Sequence, residues 1–187
     1  MKKTFPWVSF SVYPFLRTVL RTLLIASFFL IGTSAEKDTI DEYKVKAVFL
    51  VNFIKYVDWP SSYDNSFKIG VIGKSIITGN LKEIAEFKKS NSRPLEILEY
   101  DSKRPVLCDI LFIPNSEMKR ISKFAKDMEG KKVLIVSEDN NSSSHLAGIN
   151  LIKTKGKIKF EVNEAALKKS GLKLSSQLST LAVSINQ

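Results

Sequence analysis

Ile110-Leu111-Phe112-Ile113 and Val133-Leu134-Ile135-Val136 are two short runs without a polar side chain, and the stretch between them decides the fold. A strand buried on both faces reads as a continuous apolar run, whereas a strand with one wet face alternates. Between the runs, Met118, Ile121, Phe124, Ala125 and Met128 fall on one helical stripe, and Lys119, Arg120, Lys123 and Lys126 occupy the remainder. Asn115 or Ser116 is expected to cap this helix and Gly130 to end it. Two doubly buried strands joined through a helix predict a mostly parallel α/β sheet covered by helices on its faces.

Upstream, Phe67 to Ile72 forms a strand ending at Gly73, and Asn80 with Glu83 resembles a cap in front of Leu81, Ile84 and Ala85. Leu95 to Leu98, after Pro94, is a further short strand. Cys108 stands at a strand entrance and is expected to be a packed thiol. Downstream, Glu138 to Ala147 has no periodicity and reads as a surface loop that holds the single histidine, His145. Gly148–Ile152 and Lys157–Val162 flank Lys153-Thr154-Lys155-Gly156 with hairpin spacing. Ile158, Phe160 and Val162 face one way, so Lys157, Lys159 and Glu161 face the other, which puts Glu161 on a surface or in a pocket. Asn163 caps a helix that Gly171 closes, and Leu174, Leu178 and Leu181 mark a last short one.

From Tyr43 to Val57 apolar residues crowd almost every position, with Lys46, Asn52 and Lys55 scattered around the wheel. Such a helix needs cover on most sides, from its own sheet or from another subunit. Pro60 then stops it.

The formal charge of +10 divides unevenly. Residues 1–35 carry Lys2, Lys3, Arg17 and Arg21 and no acid, and removing those four cations leaves 25 basic against 19 acidic side chains, or +6. A basic start, the apolar run Leu23 to Ile31, and small Thr33 and Ala35 have the grammar of a cleavable signal peptide, with cleavage expected after Ala35. Residues 36–187 then make one domain, large enough to fold without disulfides. The remaining charge is not the polybasic stripe of a nucleic-acid binder, and none is expected as a partner.

Catalytic and metal-binding patterns are missing. One Cys and one His supply no Cys/His zinc set and no intrachain disulfide. A histidine-based triad lacks its Gly-x-Ser-x-Gly turn, and Ile72-Gly73-Lys74-Ser75 lacks the upstream glycine of a phosphate loop. The pairs Asp41-Glu42 and Glu138-Asp139 read as helix-start or solvated loop carboxylates. The expectation is a non-enzyme with no metal and no cofactor.

Lys46-Ala47-Val48-Phe49-Leu50-Val51-Asn52-Phe53, followed by Trp59-Pro60, resembles the opening signature of the YfiR-like periplasmic proteins. Phe67–Gly73, Cys108–Ile113, Val133–Ser137, Ile158–Asn163 and Ser170–Leu178 are similar to further blocks of that family, in order, over residues 43–183. The resemblance implies a three-layer α/β sandwich, its mostly parallel central sheet flanked by helices, with a C-terminal β-hairpin at one edge. It also implies a homodimer that holds a membrane-bound diguanylate cyclase inactive through the cyclase's periplasmic region, lowering cyclic-di-GMP. An outer-membrane lipoprotein would sequester the repressor. Ile149, Glu161 and Leu167 match family positions tied to repression, while Lys173 and Ser175 stand where another member carries the Arg and His of a small-ligand pocket. The cysteine pairs of that member have no counterpart here. The alternative is a periplasmic sensor that binds a small molecule in a cleft at the strand ends.

Overall fold

The two apolar runs lie side by side as parallel strands, registered from Ile110 opposite Leu134 to Ile113 opposite Ser137. The computed structural model describes residues 33–59, 66–87, 94–101, 107–139 and 145–186. The expected signal segment lies outside them up to residue 32, as do Pro60 and residues 140–144 of the expected loop. In chain order the elements are α1 (Thr33–Tyr56), β1 (Val57–Asp58), β2 (Phe67–Ile72), α2 (Ile77–Phe87), β3 (Leu95–Tyr100) and β4 (Ile110–Ile113). A 3-10 turn (Asn115–Arg120) leads into α3 (Ile121–Met128). There follow β5 (Leu134–Glu138), β6 (Ile149–Thr154), β7 (Lys157–Asn163), α4 (Glu164–Ser170), β8 (Lys173–Leu174), α5 (Ser176–Leu181) and β9 (Ser184–Asn186).

The main sheet runs β3-β2-β4-β5-β6-β7-β9. From β3 to β6 all neighbours are parallel; β7 reverses against β6, and β9 lies parallel to β7. The first five strands have the doubly wound order found in flavodoxin, with the switch point between β2 and β4. The sheet thus continues one short strand beyond the hairpin. β1 and β8 pair separately and antiparallel.

Strand period two sorts the core into layers. Ile69, Val71, Phe112, Val136, Ile149 and Phe160 pack with Leu50 and Phe53 of α1 and Ile77 and Leu81 of α2. Ile72, Leu111, Ile113 and Ile135, on the other face, pack with Ile121, Phe124 and Met128 of α3. Gly70 is required where Tyr100 and Cys108 crowd that second face, since a Cβ there would lie 2.6 Å from Tyr100 Cε2 and 3.0 Å from Cys108 Sγ. Burial pushes the Cys108 thiol up to about 12, against a backbone hydrogen bond from Gly70 that favours the thiolate.

Several local expectations are corrected. α2 starts at Ile77, not at Asn80: Ser75 Oγ accepts from Ile77 N at 3.4 Å, and Asn80 donates back to Ile76 O from within the helix. Neither Asn115 nor Ser116 caps the third helical segment, whose start follows Pro114 without a side-chain cap. Within one chain, α1 buries one side and leaves Val45 and Val48 nearly half exposed beside Lys44, Asn52 and Lys55. The hairpin closes through two residues, Lys155 and Gly156, both at positive φ, a turn whose twist matches the strands it joins. Asn163 Oδ1 does accept from Ala166 N at 3.0 Å, and Gly171 closes α4 at φ 73°.

Candidate functional site

Alternation along β5 places Leu134, Val136 and Glu138 on the α1 side, which turns the last position of an apolar strand into a buried carboxylate. Glu138 accepts from Lys46 Nζ at 2.7 Å, Tyr43 OH at 3.1 Å and the Asn115 backbone N–H at 3.0 Å. It thereby serves the helix start that Asn115 and Ser116 leave uncapped. Glu138 and Asp139 are both buried, which corrects their reading as solvated loop carboxylates.

Lys46 lies on the covered stripe of α1 with Tyr43, Ala47 and Leu50, so its ammonium needs internal partners. Glu138 is one, and Glu42, one helical turn back, is the second at 2.6 Å. Lys153 of β6 pairs with Glu42 at 2.8 Å. Burial opposes ionisation of Glu42, but hydrogen bonds from Lys153 and Lys46 and their charges outweigh it and hold the carboxyl below its usual range. Burial, reinforced by the Glu138 charge and hydrogen bond, raises Tyr43 to about 12, so it remains a neutral donor.

The opposite face of the same strands carries a different polar arrangement. Ser137, Asn150, Glu161 and Ser184 are register partners across β5, β6, β7 and β9. Asn150 is buried and its amide is fully used: Oδ1 accepts from Ser137 Oγ at 3.0 Å and Asp139 N at 2.9 Å, while Nδ2 donates to Asp139 O at 2.9 Å and Glu161 Oε2 at 3.1 Å. Ser184 Oγ donates to the second Glu161 oxygen at 3.3 Å. Glu161 is half-buried, and among the described residues no cation pairs with it. The row therefore presents an oriented carboxylate held by neutral donors, with acceptor capacity left for an incoming cation or N–H donor. Ser137 and Asn150 are buried while Glu161 and Ser184 are half-buried, so the row reaches solvent at its Glu161–Ser184 end.

The sequence-predicted positions separate. Glu161 is at the half-open row. Ile149 is fully buried in the α1-side core. Leu167, on α4, is 3% exposed and touches the Gly148 backbone so closely that a Cβ at Gly148 would lie 2.8 Å from its Cδ2. Lys173 is exposed opposite Asp58 in the small sheet, and Ser175 Oγ accepts from Leu178 N at 3.3 Å as the cap of α5. His145 is exposed, and its carbonyl receives Asn163 Nδ2 at 2.6 Å.

Asn150, Ser184, Lys46 and Glu138 are the residues that sequence reasoning missed. Asn150 left a signal, a lone amide inside Ile149 to Ile152. Lys46 left another, a lysine at helical spacing from Tyr43, Ala47 and Leu50. Asn150 meets partners 11 and 13 positions away, and Lys46 meets Glu138 92 positions away.

A family model described as YfiR/HmsC-like matches residues 43–183. No curated protein matches the chain.

Proposed function

The chain belongs to the YfiR/HmsC-like family, and from that premise we propose that it is a periplasmic repressor which docks on the periplasmic region of a membrane-bound diguanylate cyclase and lowers cyclic-di-GMP. The family suggests periplasmic regulation of cyclic-di-GMP signalling; the docking step is this protein's share of it. Export uses residues 1–35, and cleavage after Ala35 would leave Tyr43 and Lys46 in the mature domain. Among the described residues no helix is long and apolar enough to cross a membrane.

The observation that carries the reading is Glu161. A carboxylate fixed by Asn150 and Ser184 at the half-buried end of the row adds nothing to core packing, but it is preorganised to receive a cationic or N–H group of a partner. Ile149 and Leu167 act from beneath, by holding β6 and α4 in place. A homodimer presents this face twice, and an outer-membrane lipoprotein would compete for the chain and release the cyclase.

Deleting the gene should raise cyclic-di-GMP and surface attachment, and the unaltered gene should restore both. A Glu161→Gln gene should not, although its product accumulates normally. Full complementation by Glu161→Gln, or unchanged cyclic-di-GMP on deletion with the cyclase present, would overturn the reading.

A further inference from the structure

On the α3 side of the sheet, a groove of about 320 Å³ opens between α3 and α4. Ile135, Ala125 and Ala166 line it, Lys126 and Glu129 come from the α3 side and Lys169 from α4, so the lining itself carries two cations and one acid. The walls are fixed to each other where the two helices end, since Gly130 N donates to Lys169 O and Lys132 N to Ser170 O, each at 3.0 Å. The groove is therefore a preformed feature of regular elements, within the size range of ligand clefts.

The segments that form the groove are basic. Residues 115–132 and 164–171 hold eight cations and four acids, a net +4 out of the +6 carried by residues 36–187. An exposed lysine gives a single small anion little, because water screens the pair. Several carboxylates along one chain gain from several lysines at once, and an apolar side chain between them gains from the alanine and isoleucine lining. The groove is concave, with its lysines on the walls, which suits an inserted segment better than the flat surface of a bilayer.

We infer that the groove between α3 and α4 receives an acidic peptide segment of a protein partner, its carboxylates meeting Lys126 and Lys169 and an apolar side chain resting on Ile135 and Ala166. The choice of a protein segment as occupant rests on the docking reading above, while the groove and its charge do not.

The test is a fluorescence-anisotropy titration of the full-length chain with a labelled peptide of alternating glutamate and leucine. Saturable binding that weakens as salt is raised is expected, with none for the same peptide carrying glutamine in place of glutamate. The double variant Lys126→Glu/Lys169→Glu should bind about tenfold more weakly. A hairpin double variant of equal charge change, Lys155→Glu/Lys157→Glu, should bind as the unaltered chain does. Ala165→Trp, an exposed position on the groove wall, should block the peptide and leave the circular dichroism spectrum unchanged. Absence of saturable binding, equal loss in the hairpin variant, or binding only to vesicles containing phosphatidylglycerol would overturn the inference. Because no cyclase is present, failure here alongside raised cyclic-di-GMP on gene deletion would remove this site and leave the repressor reading standing.

Discussion

Glu138 and Glu161 lie almost level in the sheet, one opposite Leu151 and the other opposite Asn150 of β6, but on opposite faces. Glu138 is buried and meets an ammonium, a phenol and a backbone N–H. Glu161 is half-buried and is held by an amide and a hydroxyl. A buried charge survives only when paired and hydrogen-bonded, so the first arrangement is what folding demands of a carboxylate under a helix. The second leaves the charge uncompensated at the edge of solvent, a cost that stability alone does not justify. The difference separates a residue that fastens α1 to the sheet from one kept for an outside group.

Removing the cation from the fastened side tests this most severely. Lys46→Met leaves Glu138 and Glu42 without their shared ammonium and should destabilise by about 3–5 kcal/mol, read in urea denaturation. Adding Glu138→Gln should return a large part of that loss, and a double variant no better than the single would break the pairing argument. On the other face, Asn150→Ala removes four hydrogen bonds, to Ser137 Oγ, the Asp139 backbone and Glu161, and should cost about 2–3 kcal/mol. It should also abolish repression, because Glu161 loses its anchor.

Glu161→Gln should shift stability by no more than about 0.5 kcal/mol while repression fails, the inverse of the Lys46 result. Loss of stability comparable to that of Asn150→Ala would make Glu161 structural. The smallest effect belongs to acid titration. Glu42 has a folded pKa below its unfolded one, so its contribution is complete above the ordinary 4.5 and disappears as pH falls through the lower folded value. Lys153→Gln should bring the acid unfolding midpoint to higher pH and cost about 0.5 kcal/mol at neutrality, since the lysine is 44% exposed and its pair is screened.

How much was legible follows from the range of each interaction. The apolar runs at β4 and β5, the stripe of α3 and the alternation of β7 are periodicities within a few residues, and their elements and faces stand as read. Helix starts were misplaced where the cap was not the nearest Asn or Ser. Ser75 is two residues ahead of α2, and the Glu138 carboxylate that meets Asn115 comes from 23 positions away. Glu138 and Asp139 looked like a loop start because two acids followed by Asn and Ser carry no apolar signal. Only the seating of α1 over the sheet gives Glu138 its lysine.

The amino-acid order by itself determined the alternation of strands and helices, the two faces of each strand and the orientation of Glu161, since backbone geometry fixes side-chain direction once an element is known. Tertiary structure alone decided the strand order, the meeting of Lys46 with Glu138 across 92 positions, and the neutral grip of Asn150 and Ser184 on Glu161. Pairing between distant segments depends on which surfaces the folded chain brings within hydrogen-bond reach, and no local periodicity encodes that distance.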